Sequence, residues 1–134
     1  MSDAGTLLLV EDDKDVREML VGIFANQGLT LLEAASANAA FELLRQSAVV
    51  VDVIISDIKM REGGGFELLA KIKASGLLAQ KPQVILITGF PTINLAKAKE
   101  FGASDLIAKP FDSATLKRAV SKCLRASGKP ALRG

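Results

Sequence analysis

Short apolar runs alternate with stretches of helical periodicity along the whole chain. Residues 6–10 are the first such run, after a polar start. Val16, Met19, Leu20, Ile23 and Phe24 then recur at helical spacing, with Gly28 as a stop. A second, weaker strand is predicted at 30–34. Ala37, Ala40, Phe41 and Leu44 follow as an amphipathic helix. A third strand is expected at 53–56, inside the longer apolar run 49–57. Gly63, Gly64 and Gly65 form a turn, and Phe66, Leu69 and Ile72 open a third helix ending near Gly76. A fourth strand is expected at 84–87. Pro91 fits the first turn of a fourth helix, which runs to Phe101 and stops at Gly102. A short fifth strand spans 106–108. Asp112 or Ser113 caps a fifth helix with Leu116, Ala119, Val120, Cys123 and Leu124 on one face.

Strands that are apolar throughout need cover on both faces, and alternation with helices implies parallel pairing. Right-handed crossovers then give an α/β fold, a doubly wound five-stranded parallel sheet with helices on both sides. In such sheets function gathers beyond the carboxyl ends of the strands. Residues 1–126 read as one domain, and 127–134 as a short disordered tail or the stub of a linker.

Composition narrows the chemistry. The 134 residues are 49% hydrophobic and 24% charged, as in a soluble globular domain. Seventeen Lys and Arg against 15 Asp and Glu give a net charge of +2, no signature of a nucleic-acid binder. The late basic residues, from Lys117 to Arg133, read as a solvated helix face and tail. No apolar run approaches the ~18 residues that span a bilayer. The N-terminus has no secretory pattern. With a single cysteine, Cys123, the expected compartment is the reducing cytoplasm. The chain has no histidine, which removes Ser-His-Asp and Cys-His catalysis and every His-ligated metal.

The residues that follow the strands carry the remaining signal. Glu11, Asp12 and Asp13 follow the first strand, Asp57 the third, Thr88 the fourth, and Lys109 with Pro110 the fifth. Singly, each has an ordinary reading. Asp13 suits a helix N-cap, Glu11 and Asp12 as a lone pair suit capping and solvation as well as they suit function, and Asp57 suits a turn. Jointly, they bring carboxylates, a hydroxyl and an ammonium to one sheet edge. Crowded carboxylates resist ionisation unless a cation joins them. Mg²⁺ needs only one or two of them and keeps several waters. Metal, lysine and hydroxyl would then hold three phosphoryl oxygens while the remaining carboxylate attacks phosphorus.

Five stretches carry a family resemblance: Leu-Leu-Leu-Val-Glu-Asp-Asp at 7–13, Val-Ile-Ile-Ser-Asp-Ile-Lys-Met at 53–60, Gly-Phe-Glu-Leu-Leu at 65–69, Val-Ile-Leu-Ile-Thr-Gly at 84–89 and Phe-Gly-Ala-Ser-Asp-Leu-Ile-Ala-Lys-Pro-Phe at 101–111. Over about residues 5–125 the sequence resembles the response-regulator receiver family of two-component signalling, with its flavodoxin-like fold. The resemblance implies Asp57 as phosphoacceptor, and Asp12, Asp57 and the main-chain carbonyl of Lys59 as Mg²⁺ ligands, with Mn²⁺ a substitute and Glu11 acting through water. It implies Thr88 as the switch hydroxyl, Lys109 as the phosphoryl-binding lysine and a cis bond before Pro110. Its implied partners are a histidine kinase or histidine phosphotransfer protein. A homodimer or output contact would use the face of helix 4, strand 5 and helix 5, with no direct contact to nucleic acid or membrane.

The sequence departs from the family's usual residues at two positions. Leu106 stands where Tyr or Phe is usual, so the two-residue switch is altered. Phe90, two residues after Thr88, offers an alternative switch or a cover for the site. Arg61 replaces a proline, which predicts a less constrained loop after Asp57. Bulky Lys59 and Phe90 together predict a long-lived phosphoryl group, as suits a relay. The resemblance implies a signalling phosphoacceptor, not an enzyme, that assists its own phosphorylation and dephosphorylation.

Three rivals remain in view. A flavodoxin-like cofactor binder would need a phosphate cradle after the first strand, where Glu-Asp-Asp repels phosphate. A metal-dependent aspartyl phosphatase would want an acid where Lys59 stands. The third is a docking module that is never phosphorylated. The receiver of a larger DNA-binding regulator or hybrid kinase is a variant of the main reading.

Overall fold

The computed structural model describes residues 4–46, 50–75, 82–89 and 92–132. Five strands alternate with five helices along them: β1 (Thr6–Val10), α1 (Lys14–Phe24), β2 (Thr30–Ala34), α2 (Ala37–Arg45), β3 (Val53–Asp57), α3 (Gly65–Ala74), β4 (Gln83–Thr88), α4 (Leu95–Glu100), β5 (Asp105–Ala108) and α5 (Ser113–Ala126). The strands form one sheet in the order β2-β1-β3-β4-β5, with every neighbouring pair parallel. The expected α/β architecture is therefore present, in the doubly wound order whose switch point lies between β1 and β3.

Period-two alternation divides each central strand between two cores. Leu8, Val10, Ile54, Val84 and Leu86 pack on one side with Ala40 and Leu44 of α2, Leu68 and Ile72 of α3 and Ala98 of α4. Leu7, Leu9, Val53, Ile55, Ile85, Ile87 and Ile107 pack on the other with Leu20 and Phe24 of α1 and Leu116, Val120 and Leu124 of α5. Both sheet faces are dry at the centre, which is why these strands read as continuous apolar runs.

Local polar chemistry starts the helices. Asp13 Oδ1 accepts from the N–H groups of Asp15 (2.9 Å) and Val16 (3.2 Å), Ser36 Oγ from Ala39 and Asp112 Oδ1 from Thr115. Asp13 is thus the cap of α1. Helix α4 differs from expectation. It begins at Leu95, because Asn94 Oδ1 takes the Lys97 N–H at 2.8 Å and sets the start there. Pro91, expected in its first turn, lies outside the described residues, as does Gly76 beyond α3.

The segment after α5 is ordered through Leu132. Gly128 adopts φ 78°, its N–H donates to Arg125 O, and the Lys129 N–H donates to Leu124 O. These bonds make a Schellman cap, which needs a left-handed residue at the glycine. The chain then returns along α5, where the Leu132 N–H donates to Ser121 Oγ at 3.1 Å and its side chain packs on the α1/α5 core. Cys123 lies in that same core. Burial pushes its thiol up to about 11, so it is a packing residue. Among the described residues no helix is long and apolar enough to cross a membrane.

Candidate functional site

Parallel register brings the strand-end residues together. β1 and β4 flank β3, with Val10 opposite Ser56 and Asp57 opposite Ile87. Glu11 therefore leaves β1, and Thr88 closes β4, on either side of Asp57. Thr88 lies opposite Ala108, and the Lys109 N–H donates to Thr88 O at 2.7 Å, so β5 delivers Lys109 to the same edge.

Asp57 is 8% exposed and Thr88 2%. Lys109 Nζ donates to Asp57 Oδ2 at 2.8 Å, and the Lys59 N–H lies 3.4 Å from Asp57 Oδ1. Burial alone would lower the Lys109 pKa. The hydrogen bond and charge of Asp57, with the charges of Glu11 and Asp12, outweigh it, and the net shift is upward. Lys109 is therefore a fixed cation. The Lys109–Pro110 peptide is cis, as expected.

Glu11 and Asp12 behave oppositely. Glu11 is 4% exposed, and its Oε2 accepts from the Asp13 N–H at 3.0 Å. Burial raises its carboxyl from 4.5 to about 7; the Asp13 N–H opposes the rise and the Asp57 charge adds to it. Asp12 is held below the usual carboxylate range, first by the backbone N–H of Arg61. Its Oδ2 accepts that N–H at 3.0 Å and Arg61 Nε at 3.4 Å. The loop after Asp57, expected to be less constrained without proline, is tied to the β1 edge by the bonds that arginine makes possible.

Glu11 gives the metal-free protein a pH dependence. The folded state holds this proton more tightly than the unfolded chain, so its contribution to stability is complete below about 4.5 and is lost as pH rises through about 7. In chelator the melting temperature should fall across that window, and Mg²⁺ should restore most of the loss at the alkaline end. The chain has no Trp or Tyr, so circular dichroism melts are the measurement. A melting temperature flat across the window, with or without Mg²⁺, would contradict the assignment.

Asp12 and Asp57 offer two hard oxygen donors at the mouth of the site, and Lys59 lies in the loop that follows Asp57. Among the described residues no three carboxylates form a metal cage by themselves. This donor set suits Mg²⁺, which takes few carboxylates and retains water, better than Ca²⁺.

The family model for the response regulator receiver domain matches residues 7–121. This chain belongs to that family. The receiver is 33% identical over 119 residues to the two-component response regulator ORR5 of Oryza sativa subsp. japonica, covering 89% of this chain and 88% of that one. It is 38% identical over 112 residues to the C4-dicarboxylate transport transcriptional regulatory protein DctD of Rhizobium meliloti, covering 83% of this chain and 23% of the relative. It thus spans nearly all of one relative and about a quarter of the other. The signal receiver domain of an HD domain-containing protein from Pseudomonas fluorescens superimposes with a TM-score of 0.81 at 28% identity, covering 93% of this chain and 98% of that one.

Of the residues expected at the site, Glu11, Asp12, Asp57, Lys59, Thr88 and Lys109 meet at this edge of the receiver. Phe90, considered as switch or shield, lies outside the described residues. Leu106 sits half-buried in β5 beside the α2–α4 core, opposite Leu86. Sequence reasoning missed Arg17, whose guanidinium donates to Glu11 O at 2.8 Å and pairs with Glu33 at 3.1 Å. The arginine falls on α1 beside the acidic pair, but its reach to β2 appears only in the fold.

Proposed function

We propose that Asp57 of this receiver accepts a phosphoryl group in a Mg²⁺-dependent reaction and that the domain signals through the resulting rearrangement. The observation that carries this reading is the 2.8 Å contact of Lys109 Nζ with a nearly buried Asp57, at the edge where Glu11, Asp12 and Thr88 also arrive. A receiver domain implies a histidine kinase or phosphotransfer protein as donor. The phosphorus–nitrogen bond of the donor histidine breaks, its electron pair returns to the ring, and a bond forms from phosphorus to an Asp57 oxygen. Receiver domains generally bind Mg²⁺ at an acidic pocket. Here Asp12, Asp57 and the Lys59 carbonyl would hold it, with Glu11 acting through water, and it would supply positive charge to the phosphoryl oxygens. Lys109 passes from the carboxylate to an arriving phosphoryl oxygen, and the Thr88 hydroxyl donates to another. Leu106 gives the switch a smaller partner than an aromatic ring. The face of α4, β5 and α5 is the surface for a second copy or an output partner, and the domain works in the cytoplasm.

Acetyl phosphate and Mg²⁺ test this directly. One added phosphoryl mass on the intact protein, absent in chelator, is the expected result. A folded sample that responds to neither reagent would overturn the reading and favour a docking module.

A further inference from the structure

Arg61 stands four residues beyond Asp57, in the loop between β3 and α3. Its two hydrogen bonds converge on one atom, Asp12 Oδ2: the backbone N–H at 3.0 Å and Nε at 3.4 Å. Asp12 lies 49 residues earlier and is more exposed than Glu11. The Arg61 side chain itself is 86% exposed, so its position comes from the carboxylate and not from packing. The bonding oxygen belongs to one of the two carboxylates best placed to meet a divalent cation. A guanidinium at that oxygen repels a dication and supplies the charge that the metal would otherwise bring. The N–H adds a bond that proline could not make.

We propose that Arg61 is a tethered cation that competes with Mg²⁺ for Asp12 and so weakens metal loading of this receiver. The inference rests on the reading of Asp12 as a metal ligand. The two loops are latched together through Asp12, and a cation that takes Asp12 Oδ2 must displace the arginine. Lys109 holds Asp57 in a similar way, so Glu11, Asp12 and Asp57 face two internal cations before any metal arrives. The two cations differ in what becomes of them. Lys109 has an incoming phosphoryl oxygen to move to, whereas Arg61 points to solvent and is simply displaced.

Calorimetric or amide-spectral titration with Mg²⁺ alone, without phosphodonor, tests the proposal on the native chain, Arg61→Ala and Arg61→Pro. Arg61→Ala removes only an exposed side chain, so its fold is secure; Arg61→Pro also removes the N–H. Arg61→Ala should bind Mg²⁺ roughly threefold to tenfold more tightly, and added salt should shrink the difference by screening the guanidinium. Arg61→Pro, if folded, should bind at least as tightly as Arg61→Ala and keep part of its gain at high salt. Arg61→Ala binding Mg²⁺ no more tightly than the native chain would overturn the proposal while leaving the metal site standing. Absence of Mg²⁺ binding in native chain and variants alike would overturn both it and the metal-dependent reading beneath it. Tight binding only after Arg61 is replaced would be its strongest support.

Discussion

Asp57→Asn should abolish phosphoryl uptake and barely change the stability of the receiver in chelator. The amide keeps the shape of the side chain but is no nucleophile towards phosphorus, so loss should be complete. The small stability change follows from two opposing effects. Lys109 loses a charged hydrogen-bond partner 2.8 Å away, which destabilises. Glu11 loses a neighbouring negative charge that helps to raise its carboxyl, which stabilises. Lys109 is partly exposed and keeps the charges of Glu11 and Asp12 nearby, so the residue of the two effects should be within about 1 kcal/mol. The stabilisation conferred by Mg²⁺ should shrink sharply with one carboxylate ligand gone. Intact mass after acetyl phosphate, beside melts with and without Mg²⁺, checks all three. Continued phosphorylation of the variant would move the acceptor elsewhere and sink the assignment of Asp57.

Gly64→Ala should be the most damaging small substitution near the site. A Cβ on Gly64 would run into the carbonyl oxygen of Ile58, and that oxygen already accepts the Gly65 N–H at 3.2 Å. The obstacle is backbone, so no side chain can rotate away. Gly64 also caps α3 through its N–H, which donates to Glu67 Oε2 at 3.0 Å. Displacing Ile58 moves the residue next to Asp57, so stability and phosphorylation should fall together. A loss of roughly 3 kcal/mol or more is expected from overpacking against fixed backbone. Gly22→Ala is the internal comparison. It lies on the exposed side of α1 with nothing within 4 Å of a built Cβ, and alanine there should stabilise by about 0.5–1 kcal/mol. Denaturant melts of the two variants should move in opposite directions. A neutral Gly64→Ala would mean that the loop yields more easily than this packing implies.

The difference between those glycines lies outside the sequence. Gly63 to Gly65 read as a turn, and nothing local says that one of them lies against the backbone six residues earlier. Arg61 is a similar case. Its departure from proline was legible, and it suggested a looser loop. The fold makes the loop tighter, because the freed N–H reaches a carboxylate from another strand. Helix α4 shows a milder discrepancy, in which Asn94 capped later than the helical pattern suggested.

Two aspartates at opposite ends of β3 show where the division falls. Asp52 precedes β3 and Asp57 ends it, with apolar residues and Ser56 between. The sequence by itself determined the alternation of strand and helix, hence a parallel sheet with its chemistry at the carboxyl edge, and so singled out Asp57. Those features depend on local periodicity and on handedness rules that need no partner. Only the tertiary structure decided what each carboxylate meets. Asp52 Oδ2 takes the Thr6 N–H at 2.8 Å and secures the start of β1. Asp57 receives Lys109 from the far strand, Glu11 is buried to a carboxyl near 7, and Asp12 is held by Arg61. Burial and charge pairing arise between residues far apart in the chain, so their strengths exist only once the sheet has closed.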